Sequence, residues 1–200
     1  QTCALPISRI SKTDSICYLI NMSDLHKKLT KIKMVITDVD GVLTDGSIYK
    51  GSNGMELKRF NVSDGAGVAI ARAAHLKTAM ISGRYSDATE ERAKELNIED
   101  VYNGSLNKIG PYEEIKSKHN LKDENIAFIG DDLIDIPVME LAGVPIAVNN
   151  AVDSVKEIAI YITKTNGGDG AFREAVTWIL NETNTYEKAL IALRKTIDQS

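Results

Sequence analysis

The chain has 200 residues, 43% hydrophobic and 26% charged, with a formal net charge of −4. That suits one domain with a sizeable core, and no apolar run reaches the roughly 18 residues of a membrane span. The negative balance argues against broad electrostatic adhesion to nucleic acid or anionic lipid, so an anionic substrate needs local cations or a bound metal.

Gln1 to Ser8 read QTCALPIS, the translation of a common sequencing-library adapter. Residues 1–21 are therefore expected to be a non-native or disordered leader, with Met22 the natural start. Cys3 and Cys17 fall inside it; they show neither metal-ligand spacing nor a disulfide framework, so cytoplasm is the expected compartment. No apolar segment followed by a small-residue cleavage site marks a signal peptide.

Ser23 to Lys31 suits a short amphipathic lead-in helix. The apolar run Lys33 to Thr37 predicts a buried parallel strand. It delivers Asp38-Val39-Asp40-Gly41-Val42-Leu43-Thr44-Asp45-Gly46, whose first two carboxylates, at i and i+2, leave the sheet on one side. They repel unless a proton or a divalent cation stands between them. Taken alone, Asp-x-Asp is also compatible with an acidic strand-to-helix turn.

Ser47 to Lys50 and Met55 to Phe60 flank Gly51-Ser52-Asn53-Gly54, which reads as a β-hairpin with a four-residue loop, a candidate flap. Ile48, Tyr49, Leu57 and Phe60 form an apolar patch on it if exposed. A helix over Val68 to His75 follows, with Ser63 or Asp64 as N-cap, leaving no room for a cap domain. Thr78 to Arg84 is a strand ending in a polar turn. Ser86 to Leu96 is a helix with Asp87 and Glu90 at capping-box spacing. Val101-Tyr102 is a strand, and Lys108 to Asn120 a helix. Asn125 to Ile129 is a strand leading into Gly130-Asp131-Asp132-Leu133-Ile134-Asp135, and Ile136 to Ala142 is helical. Val144 to Val148 and Tyr161 to Thr163 read as strands, Val152 to Ile158 and Ala171 to Leu180 as helices, and Tyr186 to Asp198 as a terminal helix or tail.

Strands alternating with helices predict an α/β fold, a doubly wound, Rossmann-like parallel sheet with helices on both faces and a hairpin flap. The domain is expected to span 22–182, with 183–200 a C-terminal helix or tail. In such sheets ligands bind outside the carboxyl ends of the strands. Asp38, Asp40, Ser82, Lys108, Asp131 and Asp135 fall at element ends of that kind. Ser82 either holds phosphate oxygens or only shapes a Ser-Gly turn. Lys108 opens a helix, where its charge opposes the helix dipole; that conflict supports a functional role, while a lone lysine there also reads as a solvated surface charge. His26, His75 and His119 lack metal-ligand spacing, and Trp178 reads as core or subunit contact.

The order and context of these groups over residues 33–180 resemble motifs I to IV of the haloacid dehalogenase superfamily of phosphotransferases. The resemblance implies Asp38 as nucleophile and Asp40 as general acid, then base. It implies Mg²⁺ held by Asp38, Asp40 and Asp131, with the Val39 carbonyl as a further ligand. Ser82, Gly83, Arg84 and Lys108 are then phosphate or substrate contacts, and Asp132 and Asp135 orient metal waters and Lys108. The hairpin together with Phe60-Asn61-Val62-x-Asp64-Gly65-x-Gly67, Ile81-Ser82-Gly83-Arg84 and Gly167-Gly168-x-Gly170-Ala171-x-Arg173-Glu174 resembles the capless 3-deoxy-D-manno-octulosonate 8-phosphate phosphatase family. That likeness implies a sugar-phosphate substrate, a homotetramer whose neighbouring subunits close the sites, a role in lipopolysaccharide precursor synthesis, and no nucleic-acid or membrane partner. Arg84 is suited to the substrate carboxylate, or is a surface arginine. Alternatives are a phosphatase for a nine-carbon keto-deoxy sugar acid 9-phosphate, or a non-catalytic oligomerisation module like that of sugar cytidylyltransferases. The segment after Leu180 departs from the family pattern.

Overall fold

The first strand, β1 (Met34–Thr37), is buried along its whole length, as an unbroken apolar run between two neighbouring strands requires. The computed structural model describes residues 23–198; the expected leader, Met22 and both cysteines lie outside the described residues. In chain order α1 (23–29) precedes β1, and a hairpin of β2 (Tyr49–Lys50) and β3 (Glu56–Leu57) follows it. Then come α2 (Val62–Ala73), β4 (Lys77–Ser82), α3 (Asp87–Glu95), β5 (Asp100–Asn103), α4 (Ile109–Lys118), β6 (Ile126–Gly130) and α5 (Ile136–Met139). The chain continues through β7 (Val144–Ala147), α6 (Asp153–Ile158), β8 (Tyr161–Ile162), α7 (Ala171–Glu182) and α8 (Tyr186–Ile197).

Six strands form one parallel sheet in the order β5-β4-β1-β6-β7-β8. The chain runs from β1 outward to β4 and β5, then crosses back to β6 and proceeds the other way. The reversal puts a crevice at the carboxyl ends of β4, β1 and β6, the site of ligands in doubly wound folds. Helices α2, α7 and α8 pack together. The series α4, α5 and α6 packs in turn, and right-handed crossovers place it on the opposite face. Tyr161 of β8 stacks on Trp178 of α7 with ring centroids 4.2 Å apart, so Trp178 is a packing residue within the chain.

The 166–170 turn lies directly on the loop that follows β1. The Gly168 N–H donates to the Val42 carbonyl at 2.9 Å, and a Cβ at Gly167 would stand 1.6 Å from the Gly41 oxygen. Only glycine permits that approach. The C-terminal end of the domain thereby braces the Asp-x-Asp loop.

Several local expectations are corrected. The hairpin pairs Tyr49 with Leu57 and Lys50 with Glu56, so Met55 joins the loop and lengthens it to 51–55. Its strand leading to α2 alternates: Leu57 and Arg59 face outward, while Glu56, Lys58 and Phe60 turn inward. Phe60 is thus half-buried against the core rather than exposed. Helix α2 starts at Val62, capped by the Asn61 side chain, which accepts the Ser63 N–H at 2.8 Å; Ser63 and Asp64 lie inside its first turn. The expected capping box at α3 is not made, because Ser86 is the N-cap and Asp87 accepts from the Tyr85 hydroxyl. Helix α5 is a single turn and stops at Met139.

Candidate active site

Asp38, which is 3% exposed, follows directly on β1, and Asp131 follows directly on β6. Lys108, the N-cap of α4, reaches between the acids: its Nζ is 2.7 Å from Asp38 Oδ1 and 2.6 Å from Asp135 Oδ1. Its side chain has no exposed surface, so the ammonium is stable there only because Asp135 accepts a hydrogen bond from it and Asp38 pairs with its charge. Burial alone would lower the Lys108 pKa, but Asp38 and Asp135 outweigh it and raise it, keeping the lysine charged. The helix-end position that is unfavourable locally is thus compensated by charges brought from β1 and the turn after β6.

Asp38, Asp131 and Asp135 offer oxygens within 4.8 Å of one another. Burial pushes the Asp38 carboxyl upward against the pull of Lys108, and burial together with Asp38 and Asp135 raises Asp131. Asp131 Oδ1 is buried without a hydrogen-bond donor. Crowded acids with an unsatisfied buried oxygen fit a divalent cation, whose charge would relieve both costs. Asp135 is engaged otherwise: besides Lys108 it accepts the Asp131 N–H at 3.0 Å and the Asp132 N–H at 3.2 Å. It fixes the turn that presents Asp131.

The remaining expected residues divide. Ser82 is fully buried at the end of β4 and its hydroxyl donates to the Arg84 carbonyl at 2.8 Å, with Gly83 beside it. Asp40 lies outside the three-acid cluster; its carboxylate is held by Lys58, 2.7 Å away. The Val39 carbonyl accepts the N–H groups of Leu43 and Thr44, both at 3.0 Å, and is turned into that loop rather than toward a cation. Asp132 is exposed and accepts the Leu133 N–H at 2.7 Å, capping a short 3₁₀ turn instead of reaching the acids. Arg84 makes a two-pronged pair with Glu56 of the hairpin, one contact at 2.8 Å. That pair, with Lys50, holds the Glu56 carboxyl well below its usual range.

Two inward residues carry no site role in the sequence reading, Lys58 on the hairpin and Asp64, which is expected there only as a helix cap and as part of a family string. Lys58 was detectable from strand alternation, which sets it on the same side as Glu56 and Phe60. Asp64 is 2% exposed and accepts the Arg173 N–H at 3.2 Å at the start of α7. Burial pushes its carboxyl up to about 6 from 3.8, against the Arg173 and Phe172 N–H groups. Between those values the folded state keeps a proton that the unfolded chain releases, so this group's contribution to stability falls as pH rises through the window. In urea unfolding, Asp64→Asn should gain on the parent by up to about 3 kcal/mol from pH 4 to 6, with no further change above. A difference independent of pH would contradict this.

Comparison with known proteins adds to the geometry. The haloacid dehalogenase-like hydrolase family matches residues 74–174. The 3-deoxy-D-manno-octulosonate 8-phosphate phosphatase KdsC of Escherichia coli is 40% identical over 174 residues, covering 87% of this chain and 93% of that protein. A haloacid dehalogenase superfamily hydrolase from Legionella pneumophila superposes with a TM-score of 0.85 at 39% identity, over 90% of this chain and 99% of that one. The Moraxella catarrhalis 3-deoxy-D-manno-octulosonate 8-phosphate phosphatase, solved with magnesium, phosphate and the sugar acid, superposes with a TM-score of 0.80 at 36% identity, over 86% and 98% of the two chains.

Proposed function

Because the chain belongs to the haloacid dehalogenase-like hydrolases, and within them to the 3-deoxy-D-manno-octulosonate 8-phosphate phosphatase family, we propose that it hydrolyses that sugar phosphate to the free sugar acid and phosphate, with Mg²⁺ as cofactor. One observation carries the reading: a buried lysine and three converging carboxylates meet at the strand ends of a chain 40% identical to such an enzyme.

Asp38 Oδ attacks phosphorus, forming an acyl phosphate as the bond from phosphorus to the sugar oxygen breaks. Asp40 gives its proton to that leaving oxygen. It then takes a proton from the water whose oxygen attacks phosphorus, breaks the Asp38–phosphorus bond and frees phosphate. Lys108 holds Asp38 in place and offsets phosphoryl charge, while Ser82 and Gly83 line the neighbouring strand end. Asp38 and Asp131 would hold Mg²⁺, which when bound neutralises charge on the phosphoryl group. Asp135 orients Lys108 and the Asp131 turn.

Phosphate release from the sugar phosphate should require added Mg²⁺ and cease in excess chelator. Asp131→Ala should raise the Mg²⁺ requirement or remove activity, since a ligand and its charge go together. Full turnover in chelator would overturn the metal assignment.

The proposal extends to a cytoplasmic homotetramer supplying a lipopolysaccharide precursor, the setting that the family resemblance implies. Its support in the chain is the hairpin, where Ile48, Tyr49, Met55 and Leu57 are exposed beside a crevice that has no cap domain among the described residues. Charged replacements at Tyr49 and Leu57 should dissociate the assembly and slow the sugar phosphate more than a small aryl phosphate. A parent protein that sediments as a fully active monomer would refute this part.

A further inference from the structure

Lys58 has a side chain with no exposed surface, although it sits on a hairpin whose neighbouring side chains are open to solvent. Its Nζ lies 2.7 Å from Asp40 Oδ1, 2.9 Å from Asp40 Oδ2 and 3.3 Å from Thr89 Oγ1. The ammonium donates to Asp40 Oδ2 and Thr89 Oγ1, and Asp40 Oδ1 lies in ion-pair contact with it without an aligned hydrogen bond. Thr89, on α3, is itself fully buried. The Asp-x-Asp loop, the hairpin and α3 therefore meet at one nitrogen.

Burying an ammonium costs several kcal/mol unless it is well paired, and an apolar residue would fill the same space without that cost. That cost falls here at the carboxylate assigned as general acid and base, a side chain 23% exposed. Proton transfer needs the donor within about 2.6–3.2 Å of its target, so a carboxylate that swings away loses its effect.

We propose that Lys58 is a positioning residue for Asp40: by a hydrogen bond to Oδ2 and an ion-pair contact with the carboxylate it fixes the side chain where it can protonate the leaving sugar oxygen. This rests on the reading of Asp40 as the acid. The hairpin is then more than a cover, because it carries Lys58 to Asp40 and Glu56 to Arg84 on one inward face. Seating the hairpin completes the acid–base geometry.

The test uses kcat/KM, which reports on steps through the first irreversible phosphoryl transfer, for two substrates. The sugar phosphate departs as an alkoxide that needs a proton; 4-nitrophenyl phosphate departs as a stable phenolate that hardly does. Lys58→Met should lower kcat/KM for the sugar phosphate by about 10- to 100-fold, the scale of a misplacement near 1 Å, and at least several-fold more than for the aryl ester. Asp40→Asn should show the same selectivity at about 10²–10⁴-fold. The double variant should be no slower than Asp40→Asn alone, because both changes remove one function. Lys58→Arg, which keeps charge and donors, should recover most of the selectivity. Should Lys58→Met fail to fold by circular dichroism, Lys58→Gln takes its place. Equal losses on both substrates, or losses that multiply in the double variant, would overturn the Lys58 assignment. Selective loss in Asp40→Asn but not in Lys58→Met overturns it alone; no selectivity in either overturns the reading of Asp40.

Discussion

Asp38→Asn is expected to abolish turnover of the sugar phosphate while leaving a folded protein. The amide is nearly isosteric, so the strand and the turn after it are undisturbed, and Lys108 keeps Asp135 as a partner at 2.6 Å. What disappears is the nucleophile: an amide oxygen does not form the acyl phosphate, so neither half of the two-step reaction can start. Metal affinity should fall as well, since one charge of the Asp38–Asp131 pair is gone. Phosphate release and a thermal melt, measured together, separate the loss of chemistry from loss of fold. Near-parental hydrolysis by the purified variant would end the covalent mechanism.

Lys108→Met should cost both stability and activity. Removing one partner from a buried ion pair typically destabilises by about 3–5 kcal/mol, because the other charge is left uncompensated. Here two acids lose their shared cation, and Asp131 already lies beside them. For a domain of this size that predicts a melting temperature lower by roughly 6–20 °C at neutral pH. The deficit should shrink with acidification, which protonates the stranded carboxyls, and with saturating Mg²⁺. A variant that melts with the parent would show that Lys108 is not the charge that makes the acidic cluster tolerable.

How much of this could be read in advance depends on whether local chemistry or a distant partner decides the matter. β1 and the Asp-x-Asp turn were legible because an unbroken apolar run followed by acids and glycine has few other uses. The same holds for β6 and Asp131. The start of α2 was not legible, because its first turn exposes Val62, at 85%, and buries Asp64, the reverse of an amphipathic pattern. The apolar period becomes regular only near Val68. Arg84 announced itself as a guanidinium at a strand end, but nothing local shows that Glu56, 28 residues earlier, returns on the hairpin to meet it. Phe60 was misplaced for a plainer reason: three residues from Leu57 on an alternating strand, it faces the other way. The Val39 carbonyl was assigned through resemblance, and the tight turn that takes it up is a backbone feature the side chains do not spell out.

The central claim, an Mg²⁺-dependent phosphatase for an eight-carbon keto-deoxy sugar acid, is tested most directly by a turnover panel on the purified protein. Phosphate release would be followed from 3-deoxy-D-manno-octulosonate 8-phosphate, the nine-carbon keto-deoxy acid 9-phosphate and simple phosphate esters, each with Mg²⁺ and with chelator. The expected result is the highest kcat/KM on the eight-carbon phosphate, only in the presence of metal. Preference for the nine-carbon ester, or no metal-dependent release from any sugar phosphate, would contradict it.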